Sequence, residues 1–218
     1  MPRNVEIKAV PRDWEAQRDT AAVLASSSEE ILQEDTFFPC ADGRLKLRRV
    51  DGAQPGTTLI FYRRDDMPGP KSSEYVLCDL GDVAEQLRDV LSQALGTTQT
   101  VRKQRTVFHC GQTRIHFDEV EGLGRFIELE VVLRPGQAQE EGKAVAMHLM
   151  HALGIREEDL RVGAYADLLT GAPHSLLASP RPCETGHGRT DCVTTELHQL
   201  RQSPPVAHPS LADRGFFP

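Results

Sequence analysis

Acidic side chains occupy alternate positions in short stretches that alternate between polar and apolar residues. Glu6 lies near the start of the chain, and Glu128 and Glu130 are two residues apart further on. Alternate residues of a strand share one face, so Glu128 and Glu130 point to the same side. Asp118 is a fourth carboxylate in a similar stretch. Mg²⁺ and Mn²⁺ prefer carboxylate oxygens, so these residues are candidate metal ligands if they face one interior.

A basic set follows the same alternation, on predicted strands or close to them. Lysine and arginine bind phosphate oxygens, and arginine can do so with two parallel hydrogen bonds. The patterning leaves two interpretations open. One is an ordinary sheet with a solvated face, and the other is a closed sheet whose charged interior binds a metal-bound polyphosphate. The set comprises Lys8, Lys46, Arg48, Arg63, Lys103 and Arg105.

Period-two alternation predicts the strands that carry these residues. The helical segments have recognisable ends, because Asp13 and Asp82 are candidate N-caps and Gly96 and Gly154 are candidate stops. The order of elements predicts an α+β domain built on an antiparallel sheet. The predicted strands are 4–9, 44–48, 57–63, 74–80, 106–109, 114–118 and 126–131, and the predicted helices are 13–26, 83–95 and 140–153.

The composition changes at the C-terminal end of the chain. The last 47 residues contain 7 of the 14 prolines and no Ile, Tyr or Trp. Such a segment cannot bury enough apolar surface to offset its ordering entropy. We therefore predict a folded domain over 3–170 and a disordered, proline-rich tail over 171–218.

The net charge, the apolar segments and the cysteines of the chain exclude several classes of protein. The net charge of −7 argues against a basic nucleic-acid-binding protein. No apolar window is long enough for a membrane span, and the first residues lack the apolar run of a signal peptide. The five scattered cysteines suit reduced thiols better than a disulfide framework. The sequence therefore predicts a cytoplasmic protein with no nucleic-acid or membrane partner.

Several stretches resemble the motifs of the CYTH superfamily, the triphosphate tunnel metalloenzymes, in the family's order. The stretch from Asn4 to Lys8 is similar to the ExExK signature, and Lys103-Gln-Arg105 is similar to a KxR strand. The resemblance covers about residues 3–170 and is greatest for the branch named for class IV adenylyl cyclases. The other matching stretches are 43–49, 59–64, 114–120, 122–130 and 163–169.

The resemblance implies a closed eight-stranded antiparallel barrel with flanking helices that forms a triphosphate tunnel. It implies that Lys8 orients or helps to deprotonate the attacking water, although a phosphate-binding role is an equal alternative. At the position of Arg63, the local alignment also allows Tyr62. Carried over by position, the metal ligands are Glu6, Glu128 and Glu130 with Asp118 in support, and the triphosphate-binding residues are Lys46, Arg48, Arg63, Lys103 and Arg105.

Two departures from the family pattern affect the predicted activity. Asn4 stands where the family has its first glutamate, which removes one negative charge, and Arg63-Arg64 replaces a lysine before a Gly-Pro turn. The leading hypothesis is an Mg²⁺- or Mn²⁺-dependent hydrolase of a small-molecule triphosphate, such as thiamine triphosphate or tripolyphosphate. The alternatives are a class IV-type adenylyl cyclase and a catalytically weak binder of phosphorylated compounds. The oligomeric state, monomer or homodimer, stays open.

Overall fold

Eight antiparallel strands close into a barrel in the computed structural model, which describes residues 2–64 and 69–171. The order around the barrel is β1-β5-β4-β3-β2-β6-β7-β8, and β8 pairs with β1 to complete it. The predicted α+β barrel is confirmed. Of the predicted tail over 171–218, residues 172–218 lie outside the described residues. The strands are β1 Arg3–Ala9, β2 Ser27–Phe38, β3 Arg44–Asp51, β4 Gly56–Arg64, β5 Lys71–Asp79, β6 Gln99–Cys110, β7 Thr113–Val120 and β8 Gly124–Val132.

Within the described residues, four α-helices flank the barrel: α1 Trp14–Leu24, α2 Ala84–Leu95, α3 Gln139–Ala152 and α4 Tyr165–Thr170. The first three match the predicted helices, and α4 was not predicted. Among the described residues, no helix is long and apolar enough to cross a membrane.

The helix ends agree with the predicted caps in part. Asp13 caps α1, because its side chain accepts a hydrogen bond from the backbone N–H of Ala16 at 3.1 Å. Gly96 ends α2 with a positive φ of 76°, as its type predicts. The prediction for Asp82 was wrong: it lies within a short 3₁₀ turn, Gly81–Val83, and α2 begins after that turn without a side-chain cap.

The apolar side chains lie mainly on the outside of the barrel wall, beneath the helices. Val5 and Ile7 of β1 pack in one cluster with Ala146 and Leu149 of α3. A second cluster joins the outer face of β2 and β3 to α2. Alternate residues of each strand point to opposite sides, so this packing directs the polar positions into the barrel.

Strand β2 was absent from the predicted strands. It is 12 residues long and pairs with both β3 and β6. Its sequence lacks a polar–apolar alternation that matches burial. The polar residues Gln33 and Asp35 are buried in the barrel, whereas the apolar Leu32 is exposed on the outer face. An alternation rule that expects apolar residues on the buried face cannot detect such a strand.

Candidate active site

Charged side chains line the interior of the barrel on all eight strands. Among the described residues, the central set comprises eight cations and five carboxylates, a formal charge of +3 when all are ionised. Arg44, on the same face of β3, pairs instead with Asp167 of α4. Such an interior suits an anionic ligand. The cations are Lys8, Lys46, Arg48, Arg64, Lys71, Lys103, Arg105 and Arg114, and the carboxylates are Glu6, Asp35, Asp118, Glu128 and Glu130.

Lys46 and Arg48 of β3 share one buried carboxylate, Asp35, on the neighbouring strand β2. Arg48 donates two hydrogen bonds to Asp35, at 2.8 and 2.9 Å, and Lys46 Nζ donates another at 2.9 Å. Although burial opposes it, Arg48 and Lys46 hold the pKa of Asp35 well below its usual range. Burial and the nearby Arg48 lower the pKa of Lys46 to about 7, and Asp35 opposes this shift.

Asp118 holds a second group of cations together on β6. Arg105 donates to both oxygens of Asp118, at 2.5 and 2.6 Å, and Lys103 Nζ lies 3.3 Å from one of them. The hydroxyl of Tyr165, from α4, donates to Asp118 Oδ2 at 2.8 Å. Burial raises the pKa of Asp118, but Arg105 and Lys103 outweigh it and lower the pKa to about 2. Asp118 therefore positions these two cations.

Lys8 is buried where β1 meets α4. Its Nζ donates to the carbonyl of Gly163 at 2.8 Å, lies 3.5 Å from Glu128 Oε1, and stands 3.8 Å from the centre of the Tyr165 ring. Burial lowers the pKa of Lys8 to about 8, and Glu128 opposes that shift. Glu128 also accepts a hydrogen bond from Arg105 at 2.6 Å. Lys8 is thus held in one orientation beside a predicted metal ligand.

Glu6 and Glu130 face each other directly across β1 and β8. Like charges in this position repel. Arg64 relieves the repulsion by donating to Glu6 at 2.5 Å, and Arg114 donates two hydrogen bonds to Glu130, both at 2.9 Å. Asn4 Nδ2 donates to Glu130 at 2.7 Å. Burial raises the pKa of Glu130, yet Arg114 and the other donors lower it to about 2.

Arg64 and Asn4 are among the interior residues with buried polar atoms that have no hydrogen-bond partner in the described part of the chain. These atoms are Nε and Nη2 of Arg64 and Oδ1 of Asn4. The side chain of Arg64 is only 7% exposed. Buried donors without acceptors favour an anion, and a buried acceptor without a donor favours a cation or a donor group. This part of the barrel therefore suits ligands of both signs.

The structure brings every predicted site residue except Arg63 into the interior. Arg63 points outward, where its side chain is 53% exposed and donates to Asp42 at 2.7 Å. Arg64, the next residue along β4, points inward. The placement of Arg63 in the tunnel was therefore wrong, because a shift of one residue along a strand moves the side chain to the opposite face. The alternative, Tyr62, is buried on the same face as Arg64.

The acidic residues fit a hard divalent cation by their chemistry. Glu6 and Glu130 lie opposite each other, and Asn4 Oδ1 adds a buried neutral oxygen beside Glu130. His116 lies 3.8 Å from an oxygen of Glu128 and of Glu130. Within residues 2–64 and 69–171, however, no three His, Cys, Asp or Glu side chains already form a metal-binding group. The carboxylate oxygens that could bind a metal are present, but arginine and lysine side chains already bind them.

Comparison with known proteins decides the family. A family model of the CYTH domain matches residues 2–165, about three quarters of the chain. The chain belongs to the CYTH domain family. A comparison with curated protein sequences found no match.

Solved structures share this CYTH fold at low sequence identity. A conserved hypothetical protein from Pyrococcus furiosus is 25% identical, with 76% of this chain and 99% of its own covered and a TM-score of 0.63. A protein from Vibrio parahaemolyticus described as a candidate adenylate cyclase is 16% identical, with 77% and 97% covered and a TM-score of 0.62. A Hippeastrum protein named as an adenylyl cyclase candidate and described as having dominant triphosphatase activity is 16% identical, with 80% and 98% covered and a TM-score of 0.55.

Sequence reasoning missed five residues of the CYTH interior as site residues: Asp35, Arg64, Lys71, Arg114 and Tyr165. Asp35 was missed with its strand, and Tyr165 was noted only within a matching stretch. Arg64 was noted as a departure without a role. Alternation along β4 could have found it, because Ile60, Tyr62 and Arg64 share one face and the first two are buried.

Proposed function

We propose that this CYTH tunnel binds a small-molecule triphosphate, of the thiamine triphosphate or tripolyphosphate type, and hydrolyses it with Mg²⁺ or Mn²⁺. The observation that carries the proposal is the excess of interior cations, including a buried Arg64 whose Nε and Nη2 have no partner among the described residues. Buried guanidinium donors stabilise phosphate oxygens strongly, since few other acceptors compete for them. Its family and the triphosphatase activity ascribed to the Hippeastrum protein also support it.

The chain's own residues would divide the work by position. Lys46 and Arg48 on β3, with Lys103 and Arg105 on β6, would hold the phosphate chain in line. Asp35 and Asp118 hold these four side chains in place before the substrate arrives. Arg64 takes the place in this set that Arg63 was predicted to hold.

Lys8 would act at the phosphorus that is attacked. Its contacts with Gly163 and the Tyr165 ring fix its direction, and Glu128 lies beside it. We propose that Lys8 orients the attacking water or a phosphate oxygen, which makes it the catalytic lysine of the site. Tyr165 is a positioning residue, since it acts through its hydrogen bond to Asp118.

Glu6, Glu128 and Glu130, with Asp118 in support and the oxygen of Asn4 beside them, would hold the divalent ion. A bound Mg²⁺ or Mn²⁺ would neutralise charge that develops on the phosphate oxygens. The weaker charge of Asn4 relative to glutamate lowers the expected affinity for a second ion.

The test compares two neighbouring arginines on β4. We expect Arg64→Gln to weaken tripolyphosphate binding by about tenfold or more and to lower phosphate release, because it removes buried charged donors. Arg63→Gln, on the outer face, is the matched control and should leave both unchanged. Isothermal titration calorimetry and a phosphate assay with Mg²⁺ or Mn²⁺ measure the two effects.

The same assay separates the alternatives. Release of phosphate from tripolyphosphate or thiamine triphosphate supports the hydrolase. Cyclic nucleotide and pyrophosphate formed from ATP would establish the cyclase instead. Binding without turnover, unchanged in Glu128→Gln, would leave a binding protein only. Equal binding by the Arg63→Gln and Arg64→Gln variants would contradict the proposed position of the phosphates.

A further inference from the structure

Every carboxylate in the described interior is already bound by a cation. Glu6 contacts Arg64, Glu128 contacts Lys8 and Arg105, and Glu130 is held by Arg114. The other two, Asp35 and Asp118, each accept hydrogen bonds from a lysine and an arginine. Buried ion pairs of this kind are costly to open unless another anion takes the place of the carboxylate.

Three hydrogen bonds occupy most of the acceptor sites of the Glu130 carboxylate. Arg114 donates to both of its oxygens and Asn4 donates to one of them. A divalent ion that approached Glu130 would have to displace Arg114, and it would add charge to an interior that already carries a formal excess of three positive charges. Both effects oppose binding of the ion on its own.

We propose that the triphosphate completes the metal site: its oxygens take over the arginine and lysine donors, and the carboxylates released in this way then bind the divalent ion. This inference rests on the proposed function and adds the order in which the two ligands bind. The anion binds to the tunnel without metal, whereas the metal binds weakly without the anion. The divalent ion and the triphosphate therefore bind cooperatively.

Arg64 and Asn4 show how the exchange would take place. Arg64 presents two buried donors without partners next to its bond with Glu6, so a phosphate oxygen can bind before that bond opens. Asn4 Oδ1 is a buried acceptor without a partner beside Glu130. When Arg64 and Arg114 turn to the phosphates, the cross-strand neighbours Glu6 and Glu130 are released, and Asn4 beside Glu130 can offer its oxygen to the ion.

Thermodynamic linkage makes the proposal quantitative. If the triphosphate raises the affinity for the metal by some factor, the metal must raise the affinity for the triphosphate by the same factor. A charge-assisted hydrogen bond contributes enough for about tenfold in affinity or more, so the coupling should be at least of this size.

The first experiment needs no substrate. Mn²⁺ alone is titrated into the full-length wild-type protein and into Arg114→Gln, with calorimetry and the electron paramagnetic resonance signal of free Mn²⁺ as readouts. We expect weak binding to the wild type and binding about tenfold tighter or more to Arg114→Gln, because Glu130 is released. Arg125→Gln, which removes an outer-face partner of Glu119, is the matched control and should behave as the wild type.

Two results would overturn the proposal in this experiment. Wild-type protein that binds Mn²⁺ alone as tightly as Arg114→Gln would show that the ion pairs do not limit metal binding. The proposal is also overturned if Arg64→Gln, which releases Glu6, binds Mn²⁺ no more tightly than the wild type. Arg64→Gln serves as the second variant if Arg114→Gln does not fold, which circular dichroism checks.

The second experiment separates this inference from the proposed function. Tripolyphosphate is titrated without metal, and Mn²⁺ is then titrated into the complex, with Mn²⁺ and tripolyphosphate in buffer as the blank. We expect metal-free binding of tripolyphosphate and tighter Mn²⁺ binding in the complex than in the blank, with the extra affinity lost in Glu130→Gln. No binding of tripolyphosphate under either condition would defeat the proposed function. Binding of both ligands without coupling would defeat only the inference.

Discussion

At the scale of single residues, Arg63 and Arg64 show that a shift of one position along a strand decides whether a side chain faces solvent or the interior. They have the same side chain and are neighbours in sequence, yet one pairs with Asp42 in solvent and the other with Glu6 in the interior. Asp35 is the complementary case. It is a carboxylate within the basic set that was not a predicted ligand, and its hydrogen bonds hold Lys46 and Arg48 in place.

Lys46 should make anion binding depend on pH. Burial and Arg48 lower its pKa to about 7, and the groups that face it are Asp35, Lys103 and the rings of Phe37 and Tyr62. Because the folded-state pKa is lowered, Lys46 loses its charge as the pH rises through about 7. We therefore expect tripolyphosphate affinity to fall between about pH 6 and pH 8.5.

Lys46→Arg separates this effect from titration of the ligand itself, because arginine keeps its charge. The wild type should lose affinity several-fold relative to Lys46→Arg over this pH range, measured by calorimetry at constant ionic strength. An affinity ratio that stays constant with pH would show that Lys46 does not titrate there.

At the scale of secondary-structure elements, the helices cover the apolar outer face of the barrel. Helix α3 approaches β1 and β8 closely at Gly142, where a Cβ atom would lie 2.5 Å from Leu133 Cδ2 and 2.9 Å from Val5 Cγ2. Val5 is completely buried on β1 between Asn4 and Glu6. The fit of α3 therefore supports the strand that carries part of the proposed metal site.

Gly142→Ala should destabilise the fold by about 1–3 kcal/mol, since the added methyl group overpacks this contact. Helix propensity alone predicts the opposite sign, a gain of about 1 kcal/mol. Urea unfolding measures the difference. Glu141→Ala, at the exposed neighbouring position, is the control and should change the free energy of unfolding by less than about 0.5 kcal/mol. A stabilised Gly142→Ala variant would show that α3 can shift.

Charge is distributed unevenly at the scale of the whole molecule. The chain has a net charge of −7, whereas the barrel interior of the described residues carries more cations than carboxylates. Repulsion among buried cations opposes folding, and an anion in the tunnel would relieve it. The stability of the molecule should therefore depend on its ligand.

Tripolyphosphate should raise the melting temperature in a concentration-dependent way. At about 100 times the dissociation constant, linkage predicts about 2.7 kcal/mol, which corresponds to about 5–10 °C for a domain of this size. Differential scanning fluorimetry measures the shift, with sodium chloride at matched ionic strength as the control. An equal shift with chloride would indicate general screening and would contradict binding in the tunnel.

The sequence by itself determined the alternation of β1, β3, β7 and β8, most of the helix ends, and the types of charge available for a triphosphate site. These are local properties, because the side-chain period and the capping residues act within a few positions. Together with the ordered motifs of the CYTH family, they were enough to predict the barrel. Outside the alternating stretches, the same rules missed β2, and the family resemblance placed the outward-facing Arg63 in the tunnel.

Only the tertiary structure decided which charges meet. Closure of the barrel brings Glu6 opposite Glu130 on the first and last strands. The pairing of the neighbouring strands β2 and β3 places Asp35 between Lys46 and Arg48. It also leaves the buried donors of Arg64 without partners among the described residues. Coulomb interactions depend on these distances and on burial, neither of which can be read from spacing along the chain.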